Sequence, residues 1–289
     1  MEYLSPLRYP GGKAKVSDFL QKLITENALS GGYYVEPYVG GGSVALSLLF
    51  NNYVNEIFIN DKDVSIYAFW YSVLYKTDEL CRLISDTPID IDIWKKLRKL
   101  QDNKTNIDLL DLGFSTFYQN RTNRSGILKA GVIGGLSQTG NYKMDARFNK
   151  KDLIKRIQNI AQKADKIHLT NEDAIDSIKR LSLLLPEKTL FYLDPPYYVK
   201  GKGLYMNYYT DADHCAIADS IKEIIRQKWI LSYDNVPFIR NLYTAYRHKL
   251  FELNYSACNS GKGEEIMFFS DNLNVPEHKL FNAIKNEDN

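Results

Sequence analysis

Thr189-Leu190-Phe191-Tyr192-Leu193-Asp194-Pro195-Pro196-Tyr197 is the stretch that decides how this chain folds. Its first five residues are apolar and β-prone, and they read as a buried strand. The strand ends in a carboxylate, two prolines that forbid its continuation, and an aromatic ring. Each proline also pushes the residue before it towards an extended conformation, which predicts a stiff loop. Ligands of open α/β sheets sit at the carboxyl ends of strands. Asp194 and the Pro195 carbonyl are therefore candidates to accept hydrogen bonds from an exocyclic amine, and Tyr197 to stack on a flat base. Chance also supplies strands that run into proline-rich turns, so the rest of the chain must decide.

Outward from this stretch, short β-prone runs alternate with segments of helix length, the pattern of an α/β sheet covered by helices. Strands are expected over 33–36, 57–60, 166–170, 189–193 and 229–232. Two more, 246–253 and 265–270, lie close together and suit an antiparallel pair on an otherwise parallel sheet. The interval from Asp63 to about Lys163 breaks the rhythm and reads as an insertion. It holds expected helices over 65–84 and 94–100, then a glycine-punctuated loop over 120–150. The expected organisation is thus a catalytic body of 1–63 and 164–289, with 64–163 inserted and mainly helical. The tail, 272–289, reads as a weakly ordered helix.

Of the 289 residues, 44% are hydrophobic and 25% charged, as in ordinary soluble globular proteins. No run approaches ~18 apolar residues, so a membrane span is not expected, and the N-terminus has no apolar signal-peptide core. Cys81, Cys215 and Cys258 are odd in number and widely spaced. They suggest reduced thiols in a cytoplasm and not a disulfide frame. The four histidines form no metal-ligand spacing with them, so no metal is expected. The net charge of +2 conceals an asymmetry: 94–166 holds 16 Lys and Arg against 6 Asp and Glu, while the remainder holds 21 against 29. A basic segment on an acidic body is the footprint of a protein that meets phosphates locally. A solvated helical surface gives the same count.

The first strand runs into Glu36-Pro37-Tyr38-Val39-Gly40-Gly41-Gly42-Ser43, followed by the apolar helix 44–50. Glycines at a strand-to-helix turn admit a ligand that a Cβ would exclude. Gly40, Gly42 and Ala45 satisfy a relaxed dinucleotide fingerprint, and Asp61 lies nineteen residues beyond Gly42, where a carboxylate binds ribose hydroxyls. A nicotinamide-dependent oxidoreductase meets these requirements. So does an S-adenosylmethionine enzyme, which needs the same turn and the same ribose carboxylate but no pyrophosphate cradle. Gly11-Gly12-Lys13 is not a P-loop, because Leu7 and Ala14 occupy the positions of its glycine and its Ser or Thr.

Together these pieces resemble the Dam-like (D12 class) N6-adenine DNA methyltransferases over most of the chain. Arg8-Tyr9-Pro10-Gly11-Gly12-Lys13 is similar to the family's N-terminal cofactor motif, Glu36 to Ser43 to its glycine-rich motif, and Asn60-Asp61 to its ribose-binding acid. Asp173 stands where the family places a carboxylate near the cofactor adenine, and Asp194 to Tyr197 matches the catalytic motif without substitution. Asn120-Arg121 with Ser125-Gly126 resembles the Asn-Arg…Asn-Gly stretch of the GATC-methylating members, but Ser125 replaces an Asn. The later Arg147-Phe148-Asn149-Lys150 lacks the proline those members usually carry soon after. Both departures put the recognised sequence in doubt.

The resemblance implies a Rossmann-like class I methyltransferase sheet with an inserted target-recognition segment. The implied reaction is site-specific transfer from S-adenosylmethionine to N6 of an adenine flipped out of double-stranded DNA. It also implies roles: Asp194, Pro195 and Tyr197 at the target base; Tyr9, Lys13, Glu36, Gly40, Gly42, Asp61 and Asp173 at the cofactor. Phosphate contacts fall to Arg124, Lys129, Lys143 and Lys151, and base-edge readout to Arg121, Asn123 and Gln138. Arg121 leads because arginine to guanine is the commonest specific pairing. A monomer suffices for the chemistry, and a companion restriction endonuclease is compatible with it. The same catalytic loop can also methylate RNA, cytosine or a protein amide, and a DNA-binding relic without activity would keep the same charges.

Overall fold

A computed structural model describes residues 4–8, 14–199, 209–254 and 262–281. Its seven strands are β1 Gly32–Glu36, β2 Val54–Asn60, β3 Ile167–Thr170, β4 Thr189–Leu193, β5 Lys228–Asp234, β6 Arg247–Asn254 and β7 Lys262–Phe269. They form one sheet in the order β3-β2-β1-β4-β5-β7-β6. Strands β3, β2, β1, β4 and β5 are mutually parallel, and β7 runs antiparallel between β5 and β6. All five residues of β4 are buried, as a central strand covered on both faces requires. Alternation along the strands separates two cores. Tyr34, Leu190, Tyr192 and Ile230 face one, while Val35, Phe191, Leu193 and Leu231 face the other.

The first core is covered by α1 (Ala14–Glu26), α2 (Ser43–Phe50) and α3 (Val64–Tyr75). It continues without a break into α4 (Thr77–Asp86), α5 (Ile91–Asp102), α6 (Leu109–Thr122) and α7 (Lys150–Ala161), so the inserted helices share the sheet's core. The second core lies under α8 (Ala174–Leu184), α9 (Asp211–Ile224) and the short α10 (Pro237–Leu242).

Three local expectations are corrected. The single helix over 65–84 is two helices broken at Lys76, where Asp78 and Glu79 suit the first turn of a new one. Helix α6 was not expected, and Gly113 shows why. A Cβ there would lie 2.4 Å from the Ala68 carbonyl oxygen of α3 and 2.3 Å from Ser72 Oγ. The glycine that weakens helix propensity is thus the one that lets α6 press against α3. In the tail, the described residues 272–281 are not helical; Leu280 and Phe281 instead close the first core beside Phe19 and Phe269. Among the described residues no helix is long and apolar enough to cross a membrane.

Candidate active site

The sheet changes direction of winding between β1 and β4, and the crevice beyond their carboxyl ends is where such a sheet binds its ligand. Glu36 closes β1 and Asp194 follows β4 on the neighbouring strand, both buried. Between β1 and α2 the chain makes a tight glycine turn. Gly42, at φ +59°, precedes the helix, and a Cβ there would meet the Trp70 ring at 2.8 Å. Trp70 in turn donates its indole N–H to the Gly40 carbonyl at 3.0 Å, so α3 pins the turn from behind.

Asp61, just beyond β2, reaches the same turn. Its Oδ2 accepts the Gly40 N–H at 2.9 Å and its Oδ1 accepts the Asp63 N–H at 2.9 Å. Burial pushes this carboxyl up to about 7, against the lowering effect of those two donors. Asn60 ties the ends of three strands: its amide donates to the Pro37 and Glu172 carbonyls and accepts from Thr170 Oγ1 and the Glu172 N–H. Asp173 caps α8 by accepting the Ile175 N–H, and its other oxygen pairs with Lys62 Nζ at 2.8 Å. Burial would raise Asp173, but Lys62 and the Ile175 N–H outweigh it and hold the carboxyl below its ordinary value.

The loop after β4 is held from one side by β5 and β7. Ser232 Oγ donates to Asp194 Oδ1 at 2.7 Å, with the Tyr192 hydroxyl 3.0 Å behind Ser232. The Tyr197 hydroxyl donates to Glu265 Oε2 at 2.7 Å and lies 3.3 Å from Asp194 Oδ1. Asp234 accepts the backbone N–H groups of Tyr198 and Val199 at 2.9 and 2.8 Å. The Tyr198 ring stacks on Phe238 at 4.8 Å. Asp194 is 8% exposed and Tyr197 9%. Within this crevice stand a buried carboxylate, a fixed aromatic ring, a glycine turn without a phosphate cradle and a carboxylate suited to ribose hydroxyls. That is the equipment for presenting an amine to an adenosyl-bearing methyl donor.

The model of the D12 class N6 adenine-specific DNA methyltransferases matches residues 9–256. The chain belongs to that family. It is a DNA adenine-N6 methyltransferase that uses S-adenosylmethionine. The chain is 24% identical to the Type II methyltransferase M.MjaIII of Methanocaldococcus jannaschii over 273 residues, covering 86% of this chain and 91% of that one. Among solved structures, it is similar to a SAM-dependent methyltransferase of Agrobacterium tumefaciens (11% identity, 89% of this chain and 61% of that one, TM-score 0.41). It is also similar to the rRNA methyltransferase AviRa of Streptomyces viridochromogenes (11% identity, 88% and 84%, TM-score 0.36). The class I fold rests here on the strand order itself.

For a D12 class enzyme, the residues expected to read DNA divide sharply. Asn123 is 0% exposed: it accepts the Trp94 indole N–H at 2.7 Å and donates to the Ile127 and Leu128 carbonyls. With every polar atom so used, Asn123 holds the loop together and cannot present an edge to a base in this conformation. Gln138, at φ +52°, staples its own loop by donating to the Ile133 and Gly135 carbonyls and accepting the Met144 N–H. Arg121 donates to the Arg147 and Pro6 carbonyls, and burial, then Arg8 and Arg156, lower its pKa to about 10. It is a half-buried cation bound to backbone and not a free fork. Arg124 and Lys129 are exposed, as phosphate ligands must be.

Asn120, which the family resemblance brought out, is clamped on the N-terminal segment. Its Oδ1 accepts the Arg8 N–H at 2.7 Å and its Nδ2 donates to the Arg8 and Gly126 carbonyls at 2.8 Å each. Gly126 is required there, since its φ is +77° and a Cβ would lie 2.5 Å from the Arg8 oxygen. Tyr9 and Lys13 lie outside the described residues, immediately beyond this clamp. Ser232, Asp234 and Glu265 escaped the reading of the sequence. Their signal is a polar residue inside an apolar strand, at the sheet edge where Asp194 sits.

Proposed function

We propose that the protein methylates N6 of an adenine flipped out of double-stranded DNA, within a short recognition sequence. A base inside a duplex cannot reach a buried loop such as Asp194 to Tyr197, so extrusion of the target is part of the reading. Asp194 and the Pro195 carbonyl accept the two amine hydrogens, which shifts the nitrogen towards tetrahedral geometry and frees its lone pair. S-adenosylmethionine supplies the electrophilic methyl group on its sulfonium. The protein contributes position and electrostatics: Asp194 stabilises the charge that develops on the amine and takes its proton afterwards. Tyr197 forms the stacking wall, a contact worth ~1–3 kcal/mol in comparable base–aromatic pairs.

The cofactor fits the residues present. The Gly40–Gly42 turn brings bare backbone to the carboxyl end of β1, and Asp61, which accepts the Gly40 N–H, is a carboxylate at the right turn for the ribose. Glu36 and Asp173 flank the site, and Tyr9 and Lys13 complete it in this reading. Segment 64–163 serves as the recognition segment on its charge, with Arg124 and Lys129 on phosphates. The Type II designation of the Methanocaldococcus relative favours partnership with a restriction endonuclease, with the methyltransferase acting as a monomer in a cytoplasm.

The observation that carries this reading is Asp194 in the crevice beside the glycine turn, on a chain with a basic insertion. Incubation with labelled S-adenosylmethionine and unmethylated genomic DNA, alongside Asp194→Ala, tests it, with modified bases mapped by sequencing. N6-methyladenine in one short motif, absent with the variant, is the expected result. Cofactor binding without label in DNA would refute the duplex-DNA reading.

A further inference from the structure

Strand β5 ends in Ser232-Tyr233-Asp234, and alternation sends Tyr233 into the second core while Ser232 and Asp234 turn to the opposite face. Both are buried, Ser232 at 1% exposure and Asp234 at 2%. Neither improves the packing of a core strand, and a buried carboxylate is costly without donors. An aspartate just before a helix ordinarily caps it. Here Val236 stands at the N-cap of α10 and no side chain caps that helix, so capping does not account for Asp234.

What the two residues hold is the loop after β4. Ser232 Oγ donates to Asp194 Oδ1 at 2.7 Å, and the two oxygens of Asp234 accept the N–H groups of Tyr198 and Val199 at 2.9 and 2.8 Å. The anchors thus fall at opposite ends of the Asp194–Val199 loop. Four residues of extended chain span ~13–14 Å, whereas neighbouring positions on one face of a strand lie ~7 Å apart. The stretch between the anchors therefore bows outward, and the bow is Pro195-Pro196-Tyr197. Two successive prolines carry no N–H, so the bow lacks two of the backbone donors that could tie it down from within. Its shape is set at its ends. The Tyr197 hydroxyl adds a bond to Glu265 Oε2 at 2.7 Å, which holds the ring and not the loop's backbone.

We propose that Ser232 and Asp234 are positioning residues for methyl transfer. Ser232 fixes the Asp194 carboxylate and Asp234 fixes the far end of the loop. Together they set the bow that aims the Pro195 carbonyl and the Tyr197 ring at the target base. The proposal rests on the N6-adenine reading of the site. Each residue acts through the loop and touches neither substrate nor cofactor in this reading.

Ser232→Ala and Asp234→Asn, each in the full chain and beside the wild type, test it. Asp234→Asn keeps the size of the side chain and one acceptor oxygen, so one of the two N–H groups loses its partner. Methyl transfer from labelled S-adenosylmethionine to unmethylated genomic DNA gives kcat and KM. Equilibrium binding gives the cofactor Kd and the fraction of chains that bind it, and kcat is expressed per binding chain so that misfolded protein does not count. Each variant is expected to lose about 10- to 100-fold in this kcat, the scale of a misplaced reacting group. KM for DNA should change less than about threefold and the cofactor Kd less than about twofold, because the loop moves and neither binding surface is removed. In Asp234→Asn, hydrogen exchange should quicken about fivefold at Tyr198 or Val199 and stay unchanged along β5. A kcat within about twofold of wild type in either variant, a loss carried only by KM or the cofactor Kd, or unchanged exchange at both amides would overturn the proposal. If Asp234→Asn leaves too few binding chains to assay, Ser232→Ala decides alone. A wild-type protein that places no label in DNA adenine would refute the underlying function instead, and the wild-type arm reads that separately.

Discussion

Replacing Asn120 by alanine tests whether segment 64–163 physically carries the N-terminal stretch expected to bind the cofactor. Asn120 is 2% exposed, and its amide makes three hydrogen bonds, to the Arg8 N–H, the Arg8 carbonyl and the Gly126 carbonyl. The variant strips these backbone groups of their partner. Each such loss costs ~1 kcal/mol where water can replace the amide, and up to ~3 where it cannot. Arg8 is half-buried, which argues for the lower figure and a sum of about 3 kcal/mol. For a chain of this size that lowers Tm by roughly 5–10 °C. The segment does not come free altogether, because Leu7 sits in the first core, Ser5 Oγ donates to the Gly41 carbonyl and Arg156 donates to the Ser5 carbonyl. The larger effect should therefore be local. Residues 5–8 lead directly into Tyr9–Lys13, and loosening their far end by ~1.4 kcal/mol weakens S-adenosylmethionine binding about tenfold. Isothermal calorimetry without DNA measures this, and hydrogen exchange at residues 5–8 reports the loosening directly. An unchanged Kd together with faster exchange would refute the coupling; an unchanged Tm would refute the energetics.

Two further outcomes follow from the site. Folding raises Asp61 from its ordinary value near 4 to about 7, so the folded chain holds a proton that the unfolded chain has lost. Stability therefore falls as pH rises between those values and levels off above about 7. Ribose hydroxyls favour the ionised form, so cofactor Kd should weaken about tenfold from pH 8 to pH 6; Asp61→Asn should remove this dependence, and equal wild-type Kd values at the two pH values would refute it. On the DNA side, Arg124→Ala with Lys129→Ala should lower the slope of log K against log salt by about 1.8, one phosphate each. An unchanged slope would remove both from the interface.

The sheet was legible because its strands are apolar runs bounded by turn residues, and all seven were expected within a few residues of where they stand. The place of Asp194 at the end of a buried strand was legible because the apolar run stops at a carboxylate and two prolines. Helix α6 was hidden by its own packing. Gly113, Ser115 and Thr116 look like loop residues, but Gln101 of α5 bridges Ser115 and Thr116, and the glycine admits α3. The bonding of Asn123 and Gln138 was hidden for a related reason. Polarity says that Asn123 and Gln138 must find hydrogen bonds, but not whether the partner is a base edge or the loop's own carbonyls. A glycine-rich loop without regular structure has many unpaired carbonyls, and its amide side chains are consumed in satisfying them.

The residues missed altogether, Ser232, Asp234 and Glu265, were in principle visible. Each breaks an apolar strand at the catalytic edge of the sheet, where burying a polar group costs free energy and improves no packing. A core strand tolerates that cost only where a hydrogen-bond partner is already waiting, and here the Asp194–Val199 loop supplies an acceptor for Ser232 and donors for Asp234 and Glu265. The rule works in the other direction too. Glu36, Asn60 and Asp194 are buried polar residues at the carboxyl ends of β1, β2 and β4, or just beyond them, and each borders the crevice. At this edge of the sheet the polar residues of β5 and β7 serve the loop that follows the neighbouring strand: Ser232 and Asp234 hold the Asp194–Val199 segment, and Glu265 holds the Tyr197 hydroxyl within it.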